Sequence, residues 1–495
     1  MFDGDPQRRK PQEAESISAT ALTNPTATKI VATLGPATAD DQTIEQLLRA
    51  GVDVVRLNFS HGTRDEHRRA VEAVRSISQR LDRATAIMGD LCGPKVRLAE
   101  IEGGSVRIET GAELRFVTQS VVGNAERLTI NHPEILDEIQ VGHRLLIDDG
   151  AIRLCVTARG PDGLVCDCLV GGKLSTRKGV NLPDTDLSLP TLTAKDLDDL
   201  AWAAEAELDY IALSFVRQAA DIEDLRRRLT EIGSAAHVLA KIETRQAIND
   251  LEAIVTASDG VLIARGDLGV EVDVATVPRL QKEIADLCRR AGKPVIVATQ
   301  MLQSMVESPV PTRAEVSDVA NAIYDGADAL LLSAETAIGR YPIRAVEMLG
   351  HVARETEAHD QTRRIPLKIG LDPEHVAAAV ARSLANVADD VKAAAVVVWT
   401  ESGRLARLVG KHRLDRPVIG LTSTPTTLRR LALYYGVIPM LAPKPAQTQD
   451  LLAAAERATA CGWAKPGDLI IIGCGPRSLI GANTGSIVIH TVRDR

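Results

Sequence analysis

The stretch Gly260-Val-Leu-Ile-Ala-Arg-Gly-Asp267 is an apolar run that ends in charged residues, and His237-Val-Leu-Ala-Lys-Ile-Glu243 repeats this pattern one unit earlier. Short apolar runs of this kind predict buried parallel strands. Because the carboxyl ends of parallel barrel strands share one face, we expect Lys241, Glu243 and Asp267 to lie together. Two carboxylates beside an ammonium suit Mg²⁺ or Mn²⁺ holding a phosphorylated anion. Ordinary strand-end salt bridges are the alternative.

From Thr28 onward, short apolar strands alternate with amphipathic helical patterns eight times. Eight βα units predict a TIM (β/α)₈ barrel, with its active site at the carboxyl ends of the strands. An open doubly wound sheet is the structural alternative. The helix after the seventh strand begins with a capping-box sequence, Thr312-Arg-Ala-Glu315. The predicted strands are 29–34, 52–59, 84–89, 209–215, 238–242, 261–264, 294–298 and 329–333.

Two further regions depart from the barrel pattern. Between residues 97 and 190, short β-rich runs separated by glycine turns predict a β-barrel lid domain inserted after strand three, although a surface insertion of no functional consequence is the alternative. Residues 359–495 have their own αβ pattern, which predicts a C-terminal α/β domain. The barrel domain is therefore expected in two parts, 28–96 and 191–358. Residues 1–27, rich in Pro, Ser and Thr, are predicted to form a mobile tail.

The composition of the 495 residues excludes several classes of function. A net charge of −8 argues against sequence-independent nucleic-acid binding, so an anionic ligand needs a local basic pocket. Seven scattered cysteines without a Cys-x-x-Cys pair are typical of reduced thiols in a cytoplasmic protein. Cys166-Asp-Cys168 is better explained by alternation along a strand than by a metal site. No apolar stretch is long enough to predict a membrane span.

Long contiguous motifs lie at residues 28–38, 55–62, 178–183, 264–269, 298–302 and 311–321. With these motifs the chain resembles the pyruvate kinase family over residues 28–492. The resemblance implies a (β/α)₈ barrel, a lid inserted after strand three, a C-terminal effector domain and a homotetramer. It also implies phosphoryl transfer from phosphoenolpyruvate to ADP, giving ATP and pyruvate, as the last step of glycolysis. Such a reaction needs charge neutralisation and alignment more than covalent help.

The resemblance assigns catalytic and binding roles to residues at the strand ends. Glu243 and Asp267 match the family's ligands for a divalent ion, Mg²⁺ or Mn²⁺. Lys241 matches the lysine near the transferred phosphoryl group, and Arg56 the arginine that binds it. Ser333 and Glu335 resemble residues that order water for protonation of the enolate. The implied catalytic residues are Lys241, Arg56 and Thr299, and the implied substrate-binding residues are Arg56, Gly266, Asp267 and Thr299.

Two further sets of residues are implied by the same resemblance. The ATP/ADP-binding residues are Asn58, His61, Arg97 and Lys178. The monovalent-cation ligands are Asn58, Ser60, Asp90 and the carbonyl of Leu91. Potassium-requiring relatives have Glu at the position of Lys95, so a tethered ammonium is expected to replace the mobile ion. The sequence therefore predicts activity that needs Mg²⁺ but not K⁺.

The C-terminal domain contains a second departure from the family pattern. Thr400, Ser402 and Gly403 resemble the loop that holds an effector phosphate, and Arg404 adds a positive charge. Leu405 stands at the last hydroxyl position, which favours a monophosphorylated sugar or nucleotide over a bisphosphate as the allosteric effector.

Two other functions remain open from sequence alone. A metal-dependent lyase of the phosphoenolpyruvate/pyruvate barrels shares strand-end carboxylates around Mg²⁺, but would need neither a nucleotide lid nor Arg97 and Lys178. A regulatory relative without catalysis would be marked by loss of Lys241, Glu243 or Asp267. All five residues are present.

Overall fold

The computed structural model describes residues 26–359, 376–474 and 486–493. Residues 1–25 of the predicted mobile tail lie outside the described residues. Ala27, which was assigned to that tail, is fixed: its amide donates to the Glu357 carboxylate at 2.9 Å, and its carbonyl accepts from the Gly436 amide at 2.8 Å. No helix in the described ranges is long and apolar enough to cross a membrane.

The first part of the barrel consists of three buried strands and two amphipathic helices. The second helix begins at a capping box, in which Thr63 accepts from the Glu66 amide and the Glu66 carboxylate accepts from the Thr63 amide at 2.7 Å. The elements are β1 (Lys29–Thr33), α1 (Asp41–Ala50), β2 (Val54–Asn58), α2 (Arg64–Arg80) and β3 (Ala86–Asp90).

The lid domain follows β3 directly and is made of short strands. A two-stranded sheet in the order β10-β4 and a six-stranded sheet in the order β11-β7-β8-β9-β5-β6 enclose one apolar core. Cys166 and Cys168 point into that core, as strand alternation predicts. The strands are β4 (Ser105–Ile108), β5 (Glu113–Val117), β6 (Arg127–Leu128), β7 (Arg144–Ile147), β8 (Ile152–Gly160), β9 (Gly163–Val170), β10 (Gly172–Ser175) and β11 (Val180–Asn181).

The second part of the barrel continues after the lid with alternating strands and helices. They are α3 (Ala194–Glu205), β12 (Tyr210–Leu213), α4 (Ala219–Glu231), β13 (His237–Ile242), α5 (Arg245–Asn249), α6 (Leu251–Ala257), β14 (Gly260–Ala264), α7 (Arg265–Glu271), α8 (Val277–Arg290), β15 (Val295–Ala298), α9 (Arg313–Tyr324), β16 (Ala329–Leu332), α10 (Ala334–Ala337) and α11 (Pro342–Ala358). The predicted capping box at Thr312 and Glu315 begins α9.

Eight parallel strands close into a barrel in the order β1-β16-β15-β14-β13-β12-β3-β2. The first and last strands pair directly, with Lys29 opposite Ala329. The predicted TIM barrel is therefore confirmed, and the open doubly wound sheet is wrong. Each predicted strand agrees with the observed one to within two residues at either end.

The C-terminal α/β domain has a five-stranded sheet in the order β19-β18-β17-β20-β21, in which β21 is antiparallel to β20. It contacts the amino-terminal ends of the barrel strands: Lys411 pairs with Asp328 at 2.5 Å, and Tyr210 donates to the Arg430 carbonyl at 2.8 Å. The catalytic face lies at the other end. The elements are α12 (Val376–Asp390), β17 (Ala395–Trp399), α13 (Arg404–Gly410), β18 (Val418–Thr422), α14 (Pro425–Leu431), β19 (Val437–Leu441), α15 (Thr448–Thr459), β20 (Leu469–Cys474) and β21 (Ser486–Thr491).

Candidate active site

The carboxyl end of β13 holds a lysine in a network of charged and polar groups. Lys241 Nζ lies 3.3 Å from Asp90 Oδ1 and 3.3 Å from Glu243 Oε2, and it donates a 2.5 Å hydrogen bond to Ser214 Oγ. Burial would lower the pKa of Lys241, but the two carboxylates outweigh it and raise that pKa above its ordinary value. The ammonium is therefore charged and held in one position.

Asp90, at the end of β3, fixes a second cation beside Lys241. Its Oδ2 accepts from Arg56 Nε at 2.7 Å, and another nitrogen of Arg56 donates to Thr33 Oγ1 at 3.0 Å. Burial tends to raise the pKa of Asp90, but Lys241 and Arg56 hold it below the ordinary value. The guanidinium and the ammonium thus form the local basic pocket that an anion requires in a protein of negative net charge.

Glu243 and Asp267 fit a divalent cation. Oε1 of Glu243 accepts from the Phe215 amide at 2.6 Å, whereas the buried Oε2 makes no hydrogen bond and has only the Lys241 ammonium 3.3 Å away. Burial raises the pKa of Glu243 to about 7. Asp267 lies in the first turn of α7 with 34% of its side chain exposed. A buried oxygen without a hydrogen-bond donor next to an accessible carboxylate matches the oxygen ligands that Mg²⁺ and Mn²⁺ prefer.

Thr299 follows β15 in a strained backbone conformation. Its φ is +69°, which is unfavourable for a β-branched residue, and the φ of the next residue, Gln300, is +57°. Strained backbone conformations of this kind are concentrated at functional sites. Thr299 Oγ1 accepts from the Gly266 amide at 2.8 Å, and the Thr299 carbonyl accepts from Arg265 at 2.8 Å. Gly266 and Thr299, two of the predicted substrate-binding residues, are therefore in direct contact with each other.

Arg97 and Lys178, the predicted nucleotide contacts, both lie on the lid. Arg97 forms a β-bridge with Gly179 and donates to the Arg177 carbonyl at 3.1 Å. Lys178 Nζ pairs with Asp148 Oδ1 at 2.7 Å, and 43% of its side chain is exposed. The structure thus brings these two cations to one edge of the lid. His61, the other predicted contact besides Asn58, is exposed in the loop between β2 and α2.

The predicted monovalent-cation ligands lie around the ends of β2 and β3, and several already have protein partners. Asn58 Oδ1 accepts from the Ser60 amide at 3.1 Å. The Leu91 carbonyl accepts from Ser214 Oγ at 2.7 Å, and Asp90 holds the two cations described above. The negative charge of this region is therefore largely balanced by the protein itself.

Lys95 points into the site. Its ammonium lies 3.8 Å from Asp267 Oδ1, and 38% of its side chain is exposed. Within the part of the chain that the structure describes, Lys95 forms no other ion pair. The tethered positive charge therefore lies on the divalent side of the site, next to Asp267, rather than among the four monovalent ligands.

Sequence reasoning missed Ser214, which joins Lys241 to the Leu91 carbonyl. A single serine at a strand end carries no sequence signal; only its position after β12 could have identified it. Glu335 is completely buried, and its two oxygens accept from the amides of Leu302 and Ser333. In this structure its carboxylate therefore holds the loops after β15 and β16 in place.

The predicted effector loop connects β17 to α13. Gly403 has φ +78°, and Ser402 Oγ accepts from the Arg404 amide at 3.4 Å. Leu405 is buried in the core of the domain. Glu401, between the predicted ligands Thr400 and Ser402, accepts hydrogen bonds from the hydroxyls of Ser423 and Thr424, each at 3.0 Å.

Comparisons with known proteins agree over nearly the whole chain. The family model described as pyruvate kinase, barrel domain, matches residues 26–346, and the model described as pyruvate kinase, alpha/beta domain, matches residues 378–490. A pyruvate kinase of Geobacillus stearothermophilus is 39% identical over 473 residues, covering 94% of this chain and 80% of the relative. One from Staphylococcus aureus strain MRSA252 is 39% identical over 471 residues, with the same coverage.

The fold leads to the same family. The crystal structure of a pyruvate kinase from Cryptosporidium parvum superposes with a TM-score of 0.89 at 32% identity, covering 96% of this chain and 98% of that one. A lyase of the phosphoenolpyruvate/pyruvate barrels is not favoured, because the match extends over both the barrel and the C-terminal domain. The chain belongs to the pyruvate kinase family, whose members are phosphotransferases.

Proposed function

We propose that this chain transfers the phosphoryl group of phosphoenolpyruvate to ADP at the carboxyl end of the barrel, with Mg²⁺ or Mn²⁺ and without K⁺. The observation that carries the proposal is the Lys241 ammonium fixed between Asp90 and Glu243, next to Asp267. Retention of these groups also argues against a regulatory relative without catalysis.

Different residues of the active site carry out different parts of the reaction. A divalent ion bound by Glu243 and Asp267 would supply positive charge to the oxygens of the substrate. Arg56 and Lys241 hold the phosphoryl group, and their fixed positive charge stabilises the equatorial oxygens during transfer. Thr299 orients the carboxylate end of the substrate and the proton donor. Asn58, His61, Arg97 and Lys178 hold the nucleotide between barrel and lid.

The reaction is tested by a coupled assay. ADP, phosphoenolpyruvate and Mg²⁺ are expected to give equal amounts of ATP and pyruvate. Pyruvate formed without ADP would instead indicate hydrolysis or lyase chemistry, and binding without turnover would indicate a regulatory protein.

Lys95 supports independence from K⁺. Its ammonium is already within ion-pair distance of Asp267, so the site contains a tethered cation that relatives with Glu at this position lack. In a tetramethylammonium buffer, added KCl should change the turnover of the native chain by less than about twofold, because Asp90 is already paired with Arg56 and Lys241 and Lys95 adds a further fixed positive charge beside Asp267.

The matched variant is Lys95→Glu, which places a carboxylate beside Asp267 and should create a requirement for K⁺. Lys95→Met removes the charge without reversing it and should give an intermediate response. Strong activation of the native chain by K⁺, or a Glu variant that needs none, would contradict the proposal.

Several further properties are proposed from the family and the sequence. The chain is expected to form a homotetramer, to act in the cytoplasm, and to have domain limits at 28–96 with 191–358, 97–190 and 359–495. A phosphorylated effector is proposed to bind at Thr400, Ser402 and Gly403.

The effector proposal has a structural test in Glu401. Its negative charge repels a phosphate. Its carboxylate also accepts the hydrogen bonds of the Ser423 and Thr424 hydroxyls, which are then not free to donate to a phosphate. Glu401→Gln should therefore tighten binding of a monophosphorylated effector by about tenfold. Thermal-shift titration with sugar monophosphates and nucleotides measures this change. If Ser402→Glu leaves every effector response unchanged, the effector binds elsewhere.

A further inference from the structure

Helix α7 carries groups of the active site at one end and contacts the lid at the other. Gly266 and Asp267 lie in its first turn, and Glu271 is its last residue. Asp267 and Glu271 are four residues apart, so they lie on the same face of the helix, one turn from each other. A change in the position of Asp267 is therefore passed to Glu271 through a single rigid turn.

The contact with the lid is a hydrogen bond between a buried carboxylate and a partly buried amide. Asn181 Nδ2 in β11 donates to Glu271 Oε1 at 3.0 Å, and Glu271 is only 9% exposed. In β11, Asn181 pairs with Leu146 of β7. Lys178, the proposed nucleotide contact, lies three residues before Asn181. The hydrogen bond therefore ties to α7 the same lid segment that presents Lys178.

A second part of the lid lies over the same helix. The turn between β7 and β8 contains Asp148 and Asp149, each with φ +54°, and Asp148 pairs with Lys178. A side-chain carbon placed on Gly150 of this turn would lie 3.9 Å from Val270 Cγ1 of α7. The strained turn therefore lies against α7 on one side and pairs with Lys178, the proposed nucleotide contact, on the other.

A cavity separates the lid from the barrel at this point. Its walls include Val180 and Asn181 of the lid, and Asp267 and Glu271 of α7. Apolar side chains, among them Leu182 and Phe215, line the rest of the cavity without filling it, so the lid is not closely packed against α7 at this point. The hydrogen bond then acts as a specific polar link across a loosely packed interface.

We infer that Asn181 and Glu271 are positioning residues that couple closure of the lid to occupancy of the divalent site. The inference rests on the proposed function only in taking Asp267 as a divalent ligand. An ion bound by Asp267 fixes α7, the fixed Glu271 holds Asn181, and Lys178 is then presented to the nucleotide. Neither residue touches the reacting atoms.

The test compares lid exchange with metal binding in the full-length protein. Hydrogen exchange of lid amides is measured with and without Mn²⁺ and phosphoenolpyruvate, in the absence of ADP, and Mn²⁺ affinity is titrated separately. In the native chain, the two ligands together should slow exchange of the lid. Asn181→Ala should abolish this slowing and raise the KM for ADP by about tenfold, and it should weaken Mn²⁺ binding by no more than about the same factor, because a coupling free energy acts equally on both events.

Two further variants separate the link from general damage. Glu271→Gln keeps an acceptor for Asn181 and should behave like the native chain. Gln246→Ala removes another bond between lid and barrel, to Thr185 and Asp186, and should leave the response to Mn²⁺ intact.

The inference is overturned if Mn²⁺ and phosphoenolpyruvate together slow exchange equally in the native chain and in Asn181→Ala, or in neither. It is also overturned if Glu271→Gln behaves like Asn181→Ala. Failure of the proposed function would appear differently, as absence of ATP formation or of Mn²⁺ binding in the native chain itself.

Discussion

Replacing Lys241 with Met is expected to lower the rate of phosphoryl transfer by about 10²–10³-fold, the usual cost of removing one fixed charged or polar contact to the developing charge. The ammonium is held by Ser214, Asp90 and Glu243, so it needs no reorganisation when charge develops on the phosphoryl oxygens. Binding of Mn²⁺ and of phosphoenolpyruvate should stay within about tenfold. Proton exchange on bound pyruvate should fall less, because that step moves no phosphoryl group.

Single-turnover kinetics measure this change, and the matched control is Lys293→Met. Lys293 is a partly buried lysine whose ammonium donates to the Ser258 carbonyl at 2.5 Å, at the amino-terminal end of the barrel. Its replacement tests whether loss of a partly buried lysine charge elsewhere in the barrel also slows the enzyme. Near-normal turnover of Lys241→Met, or an equal loss in Lys293→Met, would refute the role given to Lys241.

The barrel could be predicted from the sequence because its strands are buried on both faces. Runs such as Gly260–Ala264 and Val295–Ala298 are continuously apolar, and each is followed by a helical pattern. The lid strands Arg127–Leu128 and Val180–Asn181 were missed because two residues are too few to show a period. The antiparallel strand Ser486–Thr491 was missed as well, since its apolar run, residues 487–489, is only three residues long and its residues are mostly exposed or partly exposed.

The charged part of the site was predictable for the same topological reason. Strand ends of a closed barrel converge, so Lys241, Glu243 and Asp267 had to meet. The direction of Lys95 and the bond from Asn181 to Glu271 could not be predicted. Both depend on how the lid is placed on the barrel, and residues 90 positions apart show no local pattern.

Replacing Glu243 with Gln is expected to weaken binding of Mn²⁺ or Mg²⁺ by more than about 100-fold, since even residues that only support metal ligands cost 10–100-fold. The amide oxygen of Gln still accepts from the Phe215 amide, so the local backbone should be preserved, but the negatively charged ligand is lost. Mn²⁺ titration in the absence of substrate measures the effect directly.

The pKa of Glu243 adds a dependence on pH. Because burial raises this pKa to about 7, the carboxyl group must lose a proton before it can bind a cation. Divalent affinity of the native chain should therefore rise by about tenfold per pH unit below pH 7 and level off above it. An affinity that does not change between pH 5.5 and pH 7 would contradict this assignment.

Stability of the metal-free protein should show the opposite trend. The folded pKa of Glu243 is above its ordinary value of 4.5, so between pH 4.5 and about 7 the folded state binds more protons than the unfolded state. The contribution of Glu243 to the free energy of unfolding therefore falls as pH rises through this range, and Glu243→Gln should lack that contribution.

Denaturant unfolding at pH 5 and pH 7.5, with the metal removed, measures the difference between the native chain and Glu243→Gln. The matched control is Glu357→Gln: Glu357 is also a buried carboxylate that accepts from backbone amides, of Ala27 and Thr28, but it lies away from the catalytic face. Glu357→Gln should keep the native response to metal. If Glu243→Gln binds Mn²⁺ as tightly as the native chain, or if both variants lose it equally, Glu243 is not the divalent ligand.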